Sequence, residues 1–114
     1  MKYCQVLDLK QDPALIAEYE AYHCAVWPEV LGHLRTAGIK DMTIWRYMNR
    51  LVMLIEADEC VSFERMAAME QSNPKIQEWE QLMWRFQLPV PGLPEGKWKL
   101  ANEIFRLSNA IQSA

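Results

Sequence analysis

The sequence predicts an α+β fold in which helices cover one face of an antiparallel sheet. Segments typical of strands and helices follow one another in the order β, α, α, β, β, α, α, β. One predicted strand, at residues 51–55, is apolar without alternation, which predicts burial on both faces of the sheet. The 114 residues are 51% apolar and 24% charged, which suits one globular domain, residues 1–114, with a substantial core.

The first part of the chain predicts one strand and two helices. Residues 2–9 have the length and the Tyr, Val and Leu content of a strand. A helical apolar pattern runs over residues 14–26, and Trp27, which precedes a proline, should leave α geometry. A second helix should occupy residues 28–37, because proline is tolerated at a first helical position. Gly38 can then supply the left-handed residue that follows the helix.

The middle of the chain predicts a tight hairpin. Residues 39–47 and 50–57 have the composition of two strands, and only two residues separate them. Asn49, the second of the two, suits the positive φ angle that such a turn requires.

The last part of the chain predicts two more helices and a final strand. Residues 61–69 and 74–86 carry helical patterns, each after a plausible start signal. Residues 87–97 hold too many prolines and glycines for a helix to continue, so they should form a loop. Residues 98–107 then predict the last strand, and the tail at 107–114 should fray.

This order of elements is the ferredoxin-like split βαβ pattern with doubled helices. Helices in so short a chain can cover only one face of the sheet, so something else must cover the other side of strand 51–55. A symmetric homodimer in which two sheets face each other is the simplest arrangement that does so.

Charge, hydropathy and cysteine content argue against several classes of protein. The net charge is only -3 and no block of like charge occurs, so nucleic acid is not an expected partner. No signal peptide or long apolar run is present, and we expect a soluble cytoplasmic protein with no membrane partner. The three cysteines are widely spaced, which predicts reduced thiols packed in the interior. No metal-ligand spacing or phosphate loop occurs, so we expect neither metal nor cofactor.

The stretch EYEAYHCAVWPEV, residues 18–30, places Tyr19, His23 and Trp27 at four-residue steps. On a continuous helix these side chains would share one stripe. A histidine between two aromatic rings is either a packing residue or a proton donor and acceptor, and spacing alone favours packing. The other histidine, His33, has polar neighbours in the sequence and should lie at the surface.

A second candidate set lies on the predicted fourth helix, where Trp79 precedes Glu80. An aromatic face at helical spacing is more often core than ligand platform. Aromatic rings beside charged groups also suit a sugar site, because the rings stack on the C–H face of a pyranose and the charges bind its hydroxyls. Asp41, Arg46 and Glu80 could supply those charges, although each taken singly is typical of a solvated surface.

The stretch at 18–30, together with GIKDMTIW and QEWEQLM, closely resembles the L-rhamnose mutarotase family over residues 3–107. Members of that family are dimeric ferredoxin-like α/β barrels, so the resemblance implies a homodimer that acts on a free monosaccharide. Mutarotation needs an acid and a base but no cofactor. The proton-transferring histidine of the family would fall on His23, and its substrate-binding helix tyrosine on Tyr19.

The sequence departs from the rhamnose enzymes at two positions of this resemblance. A second substrate tyrosine aligns with Met42, and Glu80 replaces the second of two paired tryptophans. The chain is more similar to the L-fucose mutarotase branch of the family, on the segments GIKDMTIW, LMWRFQLPVPG and GKW. We therefore expect L-fucose as the substrate, with L-rhamnose as the alternative. We therefore expect His23 to be catalytic and six residues to bind the sugar: Tyr19, Trp27, Asp41, Met42, Trp79 and Glu80.

Two functions of other classes remain open. Ferredoxin-like dimers host many functions, so the chain could be a non-catalytic ligand-binding or dimerisation module. It could also be a small oxygenase of the dimeric barrel type that uses His23 and the tryptophans around haem or an aromatic substrate. Strand parity puts Asp41 and Met42 on opposite faces of the sheet and leaves open which of them lines a pocket.

Overall fold

The computed structural model of the protein describes residues 1–91 and 98–109, in which four helices cover one face of an antiparallel sheet. The elements in chain order are β1 Lys2–Leu9, α1 Pro13–His23, α2 Pro28–Thr36, β2 Ile39–Tyr47, β3 Arg50–Ala57, α3 Phe63–Gln71, α4 Pro74–Trp84, β4 Gln87–Leu88 and β5 Lys99–Leu100. A 3₁₀ turn, Leu107–Asn109, ends the described part.

The sheet has the strand order β2-β3-β1-β4, and β5 also pairs with β1. Every strand pair is antiparallel. This is the order of a ferredoxin-like sheet, so the predicted fold class is confirmed. Within one chain the sheet is open and does not close into a barrel.

Side-chain caps explain where three of the helices begin. Oxygens of Asp12, Ser62 and Asn73 accept hydrogen bonds from backbone N–H groups in the first turns of α1, α3 and α4. The left-handed residue after α2 is Gly38, at φ 99°, as predicted. No helix in residues 1–91 and 98–109 is long and apolar enough to cross a membrane.

The hydrophobic core lies between the helices and the inner face of the sheet. Side chains of β1 and β3 point alternately to the two faces of the sheet. Those on the inner face are buried against α1, α2 and α4. The core has two clusters, one that contains Leu9 and Trp79 and one that contains Met53 and Ile55, and Trp98 packs against both. The largest core side chains that are almost inaccessible to solvent are Leu7, Leu9, Leu51, Ile76 and Phe86.

Among the described residues, no α-helix lies over the opposite face of the sheet. We call this surface the open face; register and parity place Cys4, Val6, Thr43, Trp45, Val52 and Leu54 on it. Leu54 is 47% exposed and Trp45 is 62% exposed. No described helix covers these outer side chains, so the burial of strand 51–55 on both faces stays a prediction that depends on the second chain of the expected dimer.

Helix α1 ends at His23, three residues earlier than predicted. The N–H groups of Cys24 and Ala25 bond to carbonyls three residues back, so the helix tightens and stops. Trp27 must be extended before Pro28, and it has φ -58° and ψ 136°. The intervening residues form the turn between the two helices.

The hairpin prediction for Asn49 was wrong, because the residue with positive φ is Met48, at 53°. Asn49 has a different role. Its side-chain Nδ2 donates to the carbonyl of Leu9 at 3.1 Å, and its own carbonyl accepts from the N–H of Leu9 at 2.7 Å. The turn is thereby attached to the end of β1.

The predicted last strand, 98–107, is a strand only at Lys99–Leu100. Gln87–Leu88, predicted to be loop, forms β4 instead. Both short strands pair with β1, at different parts of its length, so they divide the one edge that β3 leaves free. The rest of the predicted loop at 92–97 and the end of the predicted tail lie outside the described residues.

Candidate functional site

His23 is the last residue of α1 and is half-buried. Its Nδ1 lies 2.9 Å from the backbone carbonyl oxygen of Tyr19. A carbonyl oxygen can only accept, so Nδ1 carries a proton and donates it there. In the neutral ring the lone pair is consequently on Nε2, and Nε2 is the atom that can take up and release a proton.

Two aromatic rings lie directly beside the imidazole. The Tyr19 ring is 4.4 Å from it, centroid to centroid, with a tilt of 36°, and the Trp79 ring is 5.7 Å away in an edge-on arrangement. Trp27 packs on Trp79 at 5.1 Å. A shared helix stripe would have required α1 to continue to Trp27, but α1 ends at His23. Trp27 directly precedes α2 and approaches the cluster through Trp79.

Tyr19 is buried, with 3% of its surface exposed, and this sets its chemistry. Burial raises the pKa of Tyr19 to about 12, a hydrogen bond from the Gln87 side chain lowers it, and the nearby charge of Glu80 raises it. The phenol therefore stays protonated at neutral pH. It can donate or accept a hydrogen bond, but it cannot serve as a proton-accepting base.

Helix α4 brings two more predicted residues to the cluster. Trp79 is buried, and the following residue, Glu80, is half-buried and close enough to affect the ionisation of Tyr19. The cluster of His23, Tyr19, Trp79 and Glu80, with Trp27 behind Trp79, is called the imidazole site below.

The two neighbouring residues of β2 point in opposite directions. Met42 is on the helix side, half-buried, and packs against the core cluster that includes Met53 and Ile55. Asp41 is exposed on the other face, where its Oδ1 accepts from the N–H of Met42 at 2.9 Å. The structure thus keeps Asp41 apart from the imidazole site, because the sheet lies between them.

Arg46, the third charge considered from sequence, is engaged elsewhere. Its Nε donates to a carboxylate oxygen of Glu20, and its Nη1 donates to the carbonyl of Met48 at 2.7 Å. These bonds hold the guanidinium at the end of the hairpin.

Tyr22 and Gln87 also belong to this region, and sequence reasoning did not select them. The Tyr22 ring is 6.4 Å from that of Trp79 and 5.9 Å from that of Phe86. Gln87 is only 4% exposed, and its Oε1 has no hydrogen-bond partner among the described residues. Such an oxygen costs about 1 to 3 kcal/mol. Tyr22 could have been predicted from sequence, because it is three residues from Tyr19 on the same helix. Gln87 could not, because it lies in a proline-rich segment without a periodic pattern.

Two sequence predictions outside the site were wrong. His33 is buried, with its Nε2 3.3 Å from Oε1 of Glu70, because α2 packs against its neighbouring helices. Cys24 and Cys60 are exposed thiols instead of interior residues, and only Cys4 is half-buried. Within residues 1–91 and 98–109 no three metal-binding side chains converge.

One depression on the described surface lies away from the imidazole site. It is a groove of about 810 Å³ on the open face, between the strands and the C-terminal segment. Asp41, Leu54 and Glu56 line one side of it, and residues 100–108 contribute to the other.

Known proteins of similar sequence include sugar mutarotases. The family model described as L-rhamnose mutarotase matches residues 2–107. An L-fucose mutarotase from Xanthomonas campestris pv. campestris is 48% identical over 113 residues, which cover 96% of this chain and 90% of that protein.

Two solved structures share the fold. An L-rhamnose mutarotase from Formosa agariphila matches with a TM-score of 0.70 and 16% identity, over 94% of this chain and 98% of that one. A dimeric ferredoxin-like protein from an uncultured marine organism matches with a TM-score of 0.54 and 14% identity, over 97% and 98% of the two chains.

Proposed function

The chain belongs to the L-rhamnose mutarotase family and is a sugar mutarotase, and we propose that L-fucose is the sugar on which it acts. The observation that carries this choice is the 48% identity to an L-fucose mutarotase over 96% of the chain. The site is compatible with it, since Glu80 supplies a charged group beside Tyr19 where the rhamnose enzymes have a tryptophan. L-Rhamnose is the alternative substrate.

Mutarotation requires two proton movements. A proton leaves the anomeric hydroxyl, another reaches the ring oxygen, and the bond between the anomeric carbon and the ring oxygen breaks. The open aldehyde turns and the ring closes on its other face, which returns both protons. The reaction also runs slowly in water, so a positioned acid or base that contributes about 10²- to 10⁴-fold is already useful.

We propose that Nε2 of His23 delivers the proton to the ring oxygen and takes it back on closure. The hydrogen bond from Nδ1 to the Tyr19 carbonyl supports this role, because it can persist in both protonation states and fix the ring. The imidazole is half-buried between Tyr19 and Trp79, so one side of it can contact a ligand while the other is packed.

The other residues of the imidazole site would hold the sugar. In this proposal Trp79 stacks on the C–H face of the pyranose, and Trp27 supports Trp79 from behind. Tyr19 offers a neutral phenol to a sugar oxygen. Glu80 binds a hydroxyl or accepts the anomeric proton, and the position of Asp41 on the opposite face of the sheet favours Glu80 for this task.

We propose further that the protein is a homodimer whose open faces meet. Large apolar side chains on that face, Trp45 and Leu54, are exposed in the single chain, and water contact with them is unfavourable. The fold is shared with a protein described as dimeric.

The free thiols at Cys4, Cys24 and Cys60 are compatible with a reducing, cytoplasmic location, which we also propose.

The substrate proposal is tested by magnetisation-exchange NMR on the free sugars. Rates of α/β exchange would be measured with and without enzyme for L-fucose, L-rhamnose, D-glucose and D-galactose at equal concentrations. We expect L-fucose to be accelerated more than L-rhamnose by a factor of about 5 to 150, the equivalent of one mismatched buried polar group. Equal or greater acceleration of L-rhamnose would establish the alternative, and binding of a sugar without exchange would contradict the catalytic roles.

A further inference from the structure

Trp27 is the one aromatic residue of the imidazole site that lies outside a helix or strand. It directly precedes α2, and its carbonyl accepts from the N–H groups of Val30 and Leu31 in the first turn of that helix. Its backbone is therefore fixed. Its side chain is only half-buried, so core packing holds this indole less firmly than that of Trp79, which is 6% exposed. The position of the Trp27 ring depends on the side chains that contact it.

Two residues of α4, one helical turn apart, contact this indole. The Trp79 ring is 5.1 Å from it in an edge-on arrangement. The ammonium nitrogen of Lys75 lies over the ring of Trp27, 5.0 Å from its centroid, which is within the range of a cation–π interaction. Residues four apart share one side of a helix, so α4 presents the cation and the aromatic ring to Trp27 together.

The ammonium of Lys75 has a second partner on the same helix. Its Nζ lies 3.4 Å from Oε2 of Glu78, and both side chains are exposed. An exposed ion pair of this kind contributes little to stability, so it does not by itself explain the lysine. Together with the indole it gives the long side chain two partners, which hold it across Trp27.

The contacts of Trp27 continue to the imidazole. The Trp79 ring is 5.1 Å from that of Trp27 and 5.7 Å from that of His23, so it connects the two. Trp27 therefore supports the ring that we propose stacks on the sugar. A movement of the Trp27 indole would leave Trp79 without this support.

We propose that Lys75 is a positioning residue, whose ammonium keeps the indole of Trp27 against Trp79 so that the Trp79 ring is ready to stack on the pyranose. The inference rests on the proposed function, because the ring that benefits is the one assigned to the sugar. Lys75 itself touches neither the sugar nor the transferred proton in this arrangement. Stacking is present in the ground state and in the transition state alike, so the lysine should lower KM and leave kcat unchanged.

Lys75→Met tests this inference, because methionine keeps an unbranched apolar side chain and removes the charge. The rate of L-fucose anomer exchange would be measured over a range of sugar concentrations. We expect KM to rise about 2- to 5-fold, the size of an exposed cation–π contact, with kcat unchanged. Lys75→Arg keeps a cation that can lie over the indole, and it should restore the wild-type KM.

A double-mutant cycle shows whether the lysine acts through Trp27. Trp27→Leu removes the ring under the ammonium. In that background Lys75→Met should cause no further rise in KM, because the contact is already lost. The matched control is Lys40→Met, the same substitution at another exposed lysine, whose Nζ lies 3.5 Å from Oδ1 of Asp58. It should leave both KM and kcat at their wild-type values.

The inference is overturned if Lys75→Met has the wild-type KM, or if Lys75→Arg is no better than Lys75→Met. It is also overturned if the effect of Lys75→Met persists in full in the Trp27→Leu background. A fall in kcat with KM unchanged would exclude positioning and give the lysine a part in the chemical step.

Failure of the proposed function looks different, because the wild type would then not accelerate L-fucose. The same variants would be measured on whichever sugar it does accelerate. A wild type that accelerates none would overturn both proposals.

Discussion

At the scale of single residues, one hydrogen bond determines how His23 can act. Because Nδ1 donates to the Tyr19 carbonyl, proton exchange is confined to Nε2. The neighbouring Tyr19 is prevented from competing as a base, since burial raises its pKa to about 12. The site therefore combines an imidazole whose Nε2 is available for the proposed proton transfer with a phenol that only forms hydrogen bonds.

The raised pKa of Tyr19 predicts a specific loss of stability in alkali. The folded protein holds this proton more tightly than the unfolded chain, whose tyrosine titrates at 10. The resulting stability is fully present below about pH 10 and is lost as the pH rises through about 12. Urea unfolding at about pH 9 and 11.5 should show wild type losing about 2 kcal/mol more than Tyr19→Phe.

Tyr47→Phe is the control for this titration, because Tyr47 is 79% exposed. That variant should lose the same free energy of unfolding as the wild type over this pH range. If Tyr19→Phe and the wild type lose stability in parallel, the phenol is not held in a buried environment.

The sequence predicted part of the imidazole site, and the reasons are local. Tyr19 and His23 are one helical turn apart, so their contact follows from helix geometry. Glu80 was selected because it follows Trp79, but its position beside Tyr19 depends on how α4 packs across α1. Gln87 could not be found, since a two-residue strand followed by prolines has no periodic pattern.

At the scale of elements, the ends of the helices place the site. Helix α1 stops at His23, and the turn before Pro28 directs Trp27 back onto Trp79. Helix α2 follows that turn and stops shortly before Gly38, which leads into β2. Element types were predictable from caps, prolines and apolar periods, whereas exact ends depended on backbone bonds such as those after His23.

Replacing glycine with alanine should change the free energy of unfolding in opposite directions at Gly38 and at Gly32. Gly38 has φ 99°, where a side chain is strained, so Gly38→Ala should lower the free energy of unfolding by about 1 kcal/mol or more. Gly32 lies within α2, and an added Cβ there would meet nothing within 4 Å. Gly32→Ala should therefore raise the free energy of unfolding by about 0.5 to 1 kcal/mol.

Urea unfolding of both variants, followed by circular dichroism, measures the two effects. The wild type is the common reference, and exchange activity serves as a check that the site is intact. A stabilised Gly38→Ala protein would show that the backbone after α2 does not require a left-handed residue.

At the scale of the whole molecule, the described helices cover only one face of the sheet. The inner face forms the core, and the open face presents large apolar side chains with a groove beside them. The C-terminal segment adds Ile104, which is 96% exposed. The non-alternating strand 51–55 indicated a second apolar face from sequence. The described part of one chain leaves that face open, and in the proposed dimer the second chain would cover it.

Two substitutions of similarly exposed leucines test the proposed dimer. Leu54 is 47% exposed on the open face, and Leu31 is 41% exposed on α2. An aspartate in an interface would be an unpaired buried charge, so Leu54→Asp should give monomers, and Leu31→Asp should remain a dimer like the wild type. Sedimentation velocity at micromolar concentration gives the masses, and a monomeric wild type or a dimeric Leu54→Asp would exclude this interface.

The central claim is that His23 moves the protons of anomer exchange, and the most direct measurement is NMR magnetisation exchange on L-fucose with the wild type and His23→Asn. Asparagine keeps a hydrogen-bonding group but cannot exchange a proton near neutral pH, so we predict that the exchange rate falls about 10²-fold or more. Melting temperature and affinity for methyl α-L-fucopyranoside, whose ring cannot open, should stay near the wild-type values. A folded His23→Asn protein with undiminished exchange would contradict the claim and leave the imidazole as a packing residue between Tyr19 and Trp79.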